Sequence, residues 1–152
     1  MPDPASLSDC NCLAMRQAAR VATQLYDKHL APSGLRISQF GILAMLKRKG
    51  PLTINELAAA LVLDRTTLGR NILPLQRDGL IAVKPNAEDR RRKELDLSAT
   101  GDKRFREAKK LWLEAQADFA ARFGEDRSTV LRQLLHRLVS DSLAPVEVEP
   151  VP

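Results

Sequence analysis

TINELAAALVLDRTTLGRNILPLQRDGLIAVKPNAEDRRRKELDLSATG, residues 53–101, decides how this chain is read. It opens on Thr53 with Glu56 three residues later, a capping box that satisfies orphan amides at a helix start. Ile54, Leu57, Ala58 and Leu61 then recur at helical spacing. That helix is small and alanine-rich, so a partner helix can pack closely on it. Asp64 is placed to cap a second helix running to about Asp78 and ending at Gly79. Pro74 lies inside it and is expected to bend the helix or divide it near its last turn. Residues 80–83 and 94–97 predict the two strands of a hairpin, the second alternating with Leu95 and Leu97 inward. The tip between them carries Arg90-Arg91-Arg92-Lys93. Helix, turn, helix and cationic β-ribbon in this order suit double-stranded DNA. The short second helix can enter the major groove and read base edges, while the ribbon reaches phosphates or the neighbouring minor groove.

Working outward, residues 1–8 read as a loose leader, because Pro2 and Pro4 discourage helix. Ser8 or Asp9 can cap a first helix whose apolar stripe is Ala14, Ala18, Val21 and Leu25. Ala31-Pro32-Ser33-Gly34 breaks it. A helix from Ser38 carries Phe40, Leu43, Ala44 and Leu46 and stops at Gly50-Pro51, and Leu52 predicts a short edge strand. Beyond the hairpin, Ser98 or Thr100 starts a long helix to about Phe123. Gly124 breaks it, and Asp126 or Ser128 caps a last helix to about Leu143. Phe105, Ala108, Trp112, Ala115 and Phe119 form one stripe; Leu131, Leu134, Leu135 and Leu138 form another. Such stripes at both ends of the chain suit pairing with a second copy, and packing within one chain is the alternative.

Composition agrees with this. Apolar residues are 44% of 152 and aromatics only 4%, so a core would be built from Leu, Ala and Val, as in helical bundles. The expected fold class is mainly α with a small β-hairpin wing (α+β). A winged helix-turn-helix domain at 38–101 would lie between an N-terminal dimerisation helix with its connection at 9–37 and C-terminal dimerisation helices at 102–144. A leader at 1–8 and a tail at 145–152 would be flexible. Net charge is +5, but residues 36–93 hold twelve Lys/Arg against five Asp/Glu, a local +7, leaving −2 for the rest. Positive charge gathered there is the footprint of a phosphate-binding surface, although solvated charge on an ordinary basic protein gives the same count. No apolar run is long enough to span a bilayer and no signal peptide starts the chain, so a cytoplasmic location without a membrane is expected. Cys10 and Cys12 make no disulfide framework. Roughly 200° apart on a helix, they do not suggest a metal site, and no cofactor is expected.

The run Gly79-Leu80-Ile81, then Asp89-Arg90-Arg91, then Leu95-Asp96-Leu97-Ser98-Ala99-Thr100-Gly101 resembles the MarR family of bacterial transcription regulators, with Ser98 where threonine is usual. The likeness extends from about Cys12 to Leu143. It implies a triangular homodimer, with N- and C-terminal helices as its base and two winged helices facing a pseudo-palindromic operator, where the protein acts as a repressor. In the reading helix, Thr66 and Thr67 would meet base edges or phosphates. Arg65 and Arg70 would add charge, Arg70 with the option of a bidentate guanine contact, and Asn71 lies one residue further round. In the wing, Asp89 and Arg91 match a family pair in which the acid orients the base, so that Arg91 enters the minor groove. Arg90, Arg92 and Lys93 offer phosphate contacts.

Members of this family generally loosen from DNA when a signal reaches the dimer base. One expectation is a small aromatic or phenolic effector in a cleft between base and winged domain. Arg16, Arg20, Tyr26, His29, Arg36, Ser38 and Gln39 are the polar residues near it. The other is oxidation. Cys12 with Tyr26 downstream resembles helix 1 of the organic-hydroperoxide-sensing branch, and proximity to a helix N-terminus lowers a thiol's pKa. Arg16, however, stands where that branch has a second tyrosine. Cys12 as a small buried apolar residue at the dimer base is the plain alternative. A thiol enzyme would need a base, and only His29 and His136 exist; His29 is seventeen residues from Cys12, roughly 25 Å along the same helix. No catalysis is therefore expected. A winged helix used for protein contacts is the remaining alternative, and the cationic wing disfavours it.

Overall fold

The computed structural model describes residues 6–142. Most of the expected leader, the end of the last helix and the tail lie outside the described residues. The elements are α1 (Asn11–Leu30), α2 (Ile37–Lys49), β1 (Leu52–Thr53), α3 (Ile54–Leu61), α4 (Arg65–Arg77), β2 (Ile81–Pro85), β3 (Lys93–Leu97), α5 (Ala99–Phe123) and α6 (Glu125–Arg137). Short 3-10 turns precede α1 and follow it, and a π turn, Leu138–Ser142, follows α6. The chain forms two compact units that divide between Ala115 and Gln116, within α5.

In the first unit the strands form an antiparallel sheet in the order β1-β3-β2. Leu52 lies opposite Leu95 and Thr53 opposite Glu94, while Ile81 to Pro85 run against Leu97 to Lys93. Leu95 is buried and Leu97 half-buried, as the alternation predicts. Leu43 and Leu46 of α2, Leu57 of α3, Leu68, Ile72 and Leu75 of α4, and Leu80 close one core with Leu95. Their burial is what holds the reading helix to the sheet. Phe40 stacks on Phe105 at 5.4 Å and on Trp112 at 5.8 Å between ring centroids. The first half of the α5 stripe is therefore used within the chain.

α5 approaches the sheet very closely. The Ser98 hydroxyl donates to the Gly79 carbonyl at 2.6 Å and accepts from the Gly101 N–H at 2.9 Å, while the Ser98 N–H donates to Leu80 at 3.1 Å. Of the two residues expected to start α5, it is Ser98 that caps it. A Cβ on Gly101 would stand 2.0 Å from the Leu80 carbonyl oxygen, so no larger residue fits.

Several local expectations are corrected. The cap of α1 is Cys10, whose Sγ accepts from the Leu13 N–H at 3.4 Å; Ser8 and Asp9 are taken up in the preceding 3-10 turn and only Cys10 is extended. α2 starts at Ile37 rather than Ser38, because Asp27 Oδ1 accepts from the Ile37 N–H at 2.7 Å. α4 is not divided at Pro74. Only one backbone donor is lost there, and the Pro74 carbonyl still accepts from Asp78 at 3.0 Å. Neither Asp126 nor Ser128 caps α6, which begins at Glu125 with no side-chain cap; the Ser128 hydroxyl donates back to the Gly124 carbonyl at 2.7 Å.

The apolar stripe expected on α1 is largely uncovered. Ala14, Ala18 and Val21 are exposed, and only Leu30 is fully buried. In the second unit, Leu134 and Leu135 on α6 are exposed, as are Val130 and Val139. Phe119 and Phe123 pack at 5.8 Å, and the Arg127 guanidinium sits 5.5 Å over the Phe123 ring. Among the described residues no helix is long and apolar enough to cross a membrane.

Candidate nucleic-acid interface

α3 starts on the expected capping box. Glu56 Oε2 accepts from the Thr53 N–H at 2.8 Å and the Thr53 hydroxyl at 2.9 Å, and Thr53 Oγ1 accepts from the Glu56 N–H at 3.3 Å. These bonds, those from Thr53 first, hold the Glu56 carboxyl below its usual pKa, with a smaller contribution from Arg92. α4 starts on Asp64. Its Oδ1 accepts from the Thr67 N–H at 2.8 Å and its Oδ2 from the Thr67 hydroxyl at 2.6 Å. The same two bonds, the hydroxyl first, lower the Asp64 pKa.

The capping bonds sort the candidate reading residues. α4 buries Leu68, Ile72 and Leu75, so at 100° per residue its outward face is Thr66 and Arg70, followed by Leu73. Arg65, Thr66 and Arg70 are exposed. Thr67 is exposed too, but its proton is given to Asp64, which leaves it only lone pairs to offer. Asn71 is turned onto its own helix, its Nδ2 donating to the Thr67 carbonyl at 3.0 Å. Leu73 was not legible as part of this face, yet it is 65% exposed. Its signal was an apolar residue off the 68, 72, 75 stripe, and a thymine methyl is the partner it suits.

The wing tip is a bonded loop. Asn86 Oδ1 accepts from the N–H groups of Glu88 (2.8 Å) and Asp89 (2.9 Å), and its Nδ2 donates to Glu94. The Asn86 N–H donates to Arg92 at 2.8 Å and the Arg92 N–H to Asp89 at 2.9 Å. Sequence reasoning missed Asn86, although asparagine after proline at a turn is the residue whose side chain mimics a backbone acceptor two residues on. Asp89 meets Arg91 through the backbone. Its Oδ1 accepts from the Arg91 backbone N–H at 3.0 Å, so the acid shapes the loop and leaves the guanidinium open to solvent. Arg90, Arg91, Arg92 and Lys93 are all exposed. An open groove between α4 and the wing is lined by Arg65, Gly69, Leu73 and Gln76 together with Arg91, Arg92 and Lys93, with Glu56 also on it.

The effector candidates do not form one cluster. Tyr26, His29, Arg36, Ser38 and Gln39 flank the α1–α2 corner, where Gln39 Oε1 accepts from the Arg36 N–H at 3.0 Å. Arg16 is roughly 20 Å along α1 from His29 and Arg20 roughly 14 Å, both exposed. Cys12 is exposed in the first turn of α1 within one chain. The unbroken α1 also holds Cys12 roughly 21 Å from Tyr26 within one chain.

The sequence model of the MarR family matches residues 33–92, which run from the α1–α2 corner to the wing tip, just before β3. The chain is 30% identical over 115 residues to the transcriptional regulator PecS of Dickeya dadantii (strain 3937), covering 74% of this chain and 69% of PecS. Among solved structures it is similar to the transcriptional regulator MosR of M. tuberculosis in complex with DNA, at 40% identity and a TM-score of 0.74, over 84% of this chain and 92% of that one. It is also similar to a probable transcriptional regulator from Pseudomonas aeruginosa, at 27% identity and a TM-score of 0.79, over 88% of this chain and all of that one. With a winged helix whose reading helix and cationic wing face one groove, the chain belongs to the MarR family of DNA-binding transcriptional regulators.

Proposed function

We propose that the protein is a cytoplasmic repressor that binds a pseudo-palindromic operator as a homodimer and is released by a small aromatic or phenolic effector. The observation that carries the DNA part is the pairing of α4, with Thr66 and Arg70 outward, with a bonded wing that leaves four consecutive cations exposed. MosR, at 40% identity, is itself seen with DNA. The uncovered faces of α1 and α6 support a second copy as partner. A two-fold dimer would then present its reading helices to successive major grooves about 34–36 Å apart.

An anionic aromatic effector is supported by exposed arginines on α1 and at the α1–α2 corner. Oxidation of Cys12 is the second reading, favoured by the thiol's exposure. Titrating the DNA complex with salicylate-like acids, and separately with organic hydroperoxide, distinguishes them. The proposal expects release by the acid in wild type and in Cys12→Ser alike, and weaker release for Arg36→Ala. Stoichiometric release by peroxide that Cys12→Ser abolishes would instead establish the thiol as the sensor.

A further inference from the structure

Glu56 lines the groove between α4 and the wing, yet the DNA surface drawn above gives it no part beyond capping α3. Both Thr53 bonds go to Oε2, at 2.8 and 2.9 Å, so the carboxylate cannot swing away without breaking the cap. Its other oxygen, Oε1, stands 4.0 Å from a guanidinium nitrogen of Arg92. Arg92 is anchored as well, through its backbone bonds to Asn86 and Asp89. The ion pair thus joins two held points, the start of α3 and the wing loop. Both side chains are more than half exposed, at 53% and 57%, so a phosphate can reach either.

We propose that Glu56 is a specificity-determining residue, a held carboxylate that keeps Arg92 from neutralising phosphates until the wing seats on a cognate site. The proposal rests on the wing being a phosphate-contacting element. Non-specific affinity comes almost wholly from cations that displace the counterions of phosphates. An arginine already facing a carboxylate contributes less to it, and a phosphate approaching Arg92 meets a like charge on Glu56. Such a repulsive element lowers binding to the wrong partner more than to the right one. An exposed ion pair adds little to stability, so the Oε1 contact is not explained by folding, whereas the Oε2 contacts are. A glutamate carboxyl is ionised at neutral pH, and the Thr53 bonds lower the Glu56 pKa further.

Glu56→Gln tests this, because glutamine also closes a capping box and only the charge is removed. Affinity is measured for a mixed-sequence duplex of about 30 base pairs, and for a duplex selected by the wild-type protein from a random pool, between about 50 and 200 mM salt. Glu56→Gln is expected to bind the mixed-sequence duplex more tightly. Its gain should be about three to four times larger at the low salt than at the high for each wing engaged, the ratio that one further neutralised phosphate gives. The preference for the selected duplex should fall, and adding Arg92→Ala should remove the gain. In the wild-type background, Arg92→Ala should cost the mixed-sequence duplex less than Arg91→Ala does, an arm that does not depend on Glu56→Gln folding. The proposal is overturned if Glu56→Gln leaves or weakens mixed-sequence binding, if its gain survives Arg92→Ala, or if Arg91→Ala and Arg92→Ala cost the same. Arg91→Ala separates the two levels. A loss there with no effect of Glu56→Gln removes only the role of Glu56, and no loss there removes the wing reading itself.

Discussion

Gly101 is where a single missing side chain decides the structure. The Leu80 carbonyl oxygen occupies the space of its Cβ, at 2.0 Å, and it belongs to backbone that cannot give way cheaply. Gly101→Ala is expected to lower unfolding free energy by about 3 kcal/mol or more. Gly41→Ala is the contrast: nothing stands within 4 Å of its Cβ, and removing a mid-helix glycine should stabilise by about 0.5–1 kcal/mol. Urea denaturation of both variants checks the pair, and equal effects would contradict the close approach. Asp64 carries a pH signature. Its pKa is lowered in the folded chain by the bonds from Thr67, so its stabilising share is present above the ordinary carboxylate pKa and is lost as pH falls through the lower folded value. Asp64→Asn keeps an N-cap acceptor but not the charge. Wild type should be the more stable near pH 7, and the gap should narrow as pH falls through the ordinary carboxylate pKa towards the lower folded value. A gap unchanged at the lower pH would contradict the assignment.

Elements were legible wherever a cap or a period announced them. Thr53 with Glu56 and Asp64 before α4 both start helices where the sequence places them, and Leu95 faces the core as its alternation requires. The misses share a cause: tertiary or neighbouring contacts outbid a local signal. Ser8 and Asp9 look like caps, but the turn they form hands that role to Cys10. Pro74 reads as a bend or a division of α4, and it is only the division that α4 lacks, since the missing donor falls near its last turn. Much of the α5 stripe that suited a dimer is spent on Phe40. For the candidate site, the cations of the wing could be read from composition. The direction of Asp89 and Thr67 could not, because Asp89 accepts from a backbone N–H and the Thr67 hydroxyl donates to the Asp64 carboxylate only once each turn has formed. The junction between wing and α5 depends on Ser98. Ser98→Ala loses bonds to Gly79 and Gly101 and should cost about 1 kcal/mol. Ser98→Thr keeps the hydroxyl and should retain most of that stability in thermal unfolding. Equal losses in the two variants would contradict the capping role.

At the scale of the whole molecule, the uncovered stripes on α1 and α6 predict association. Sedimentation at micromolar concentration should give about twice 16.9 kDa, and Leu134→Glu on α6, exposed in the single chain, should shift it towards one. A monomer that still binds DNA tightly would contradict the dimeric operator arrangement. The central claim is that α4 and the wing together hold DNA, and the most direct measurement is the salt dependence of binding for wild type against Arg91→Ala. Neutralised phosphates set the slope of log affinity against log salt, at about −0.9 for each. If Arg91 reaches the minor groove or its phosphates, Arg91→Ala should weaken binding across many sequences and make the slope shallower by about one for each wing engaged. An affinity and slope that Arg91→Ala leaves unchanged from about 50 to 200 mM salt would show that the wing does not touch DNA.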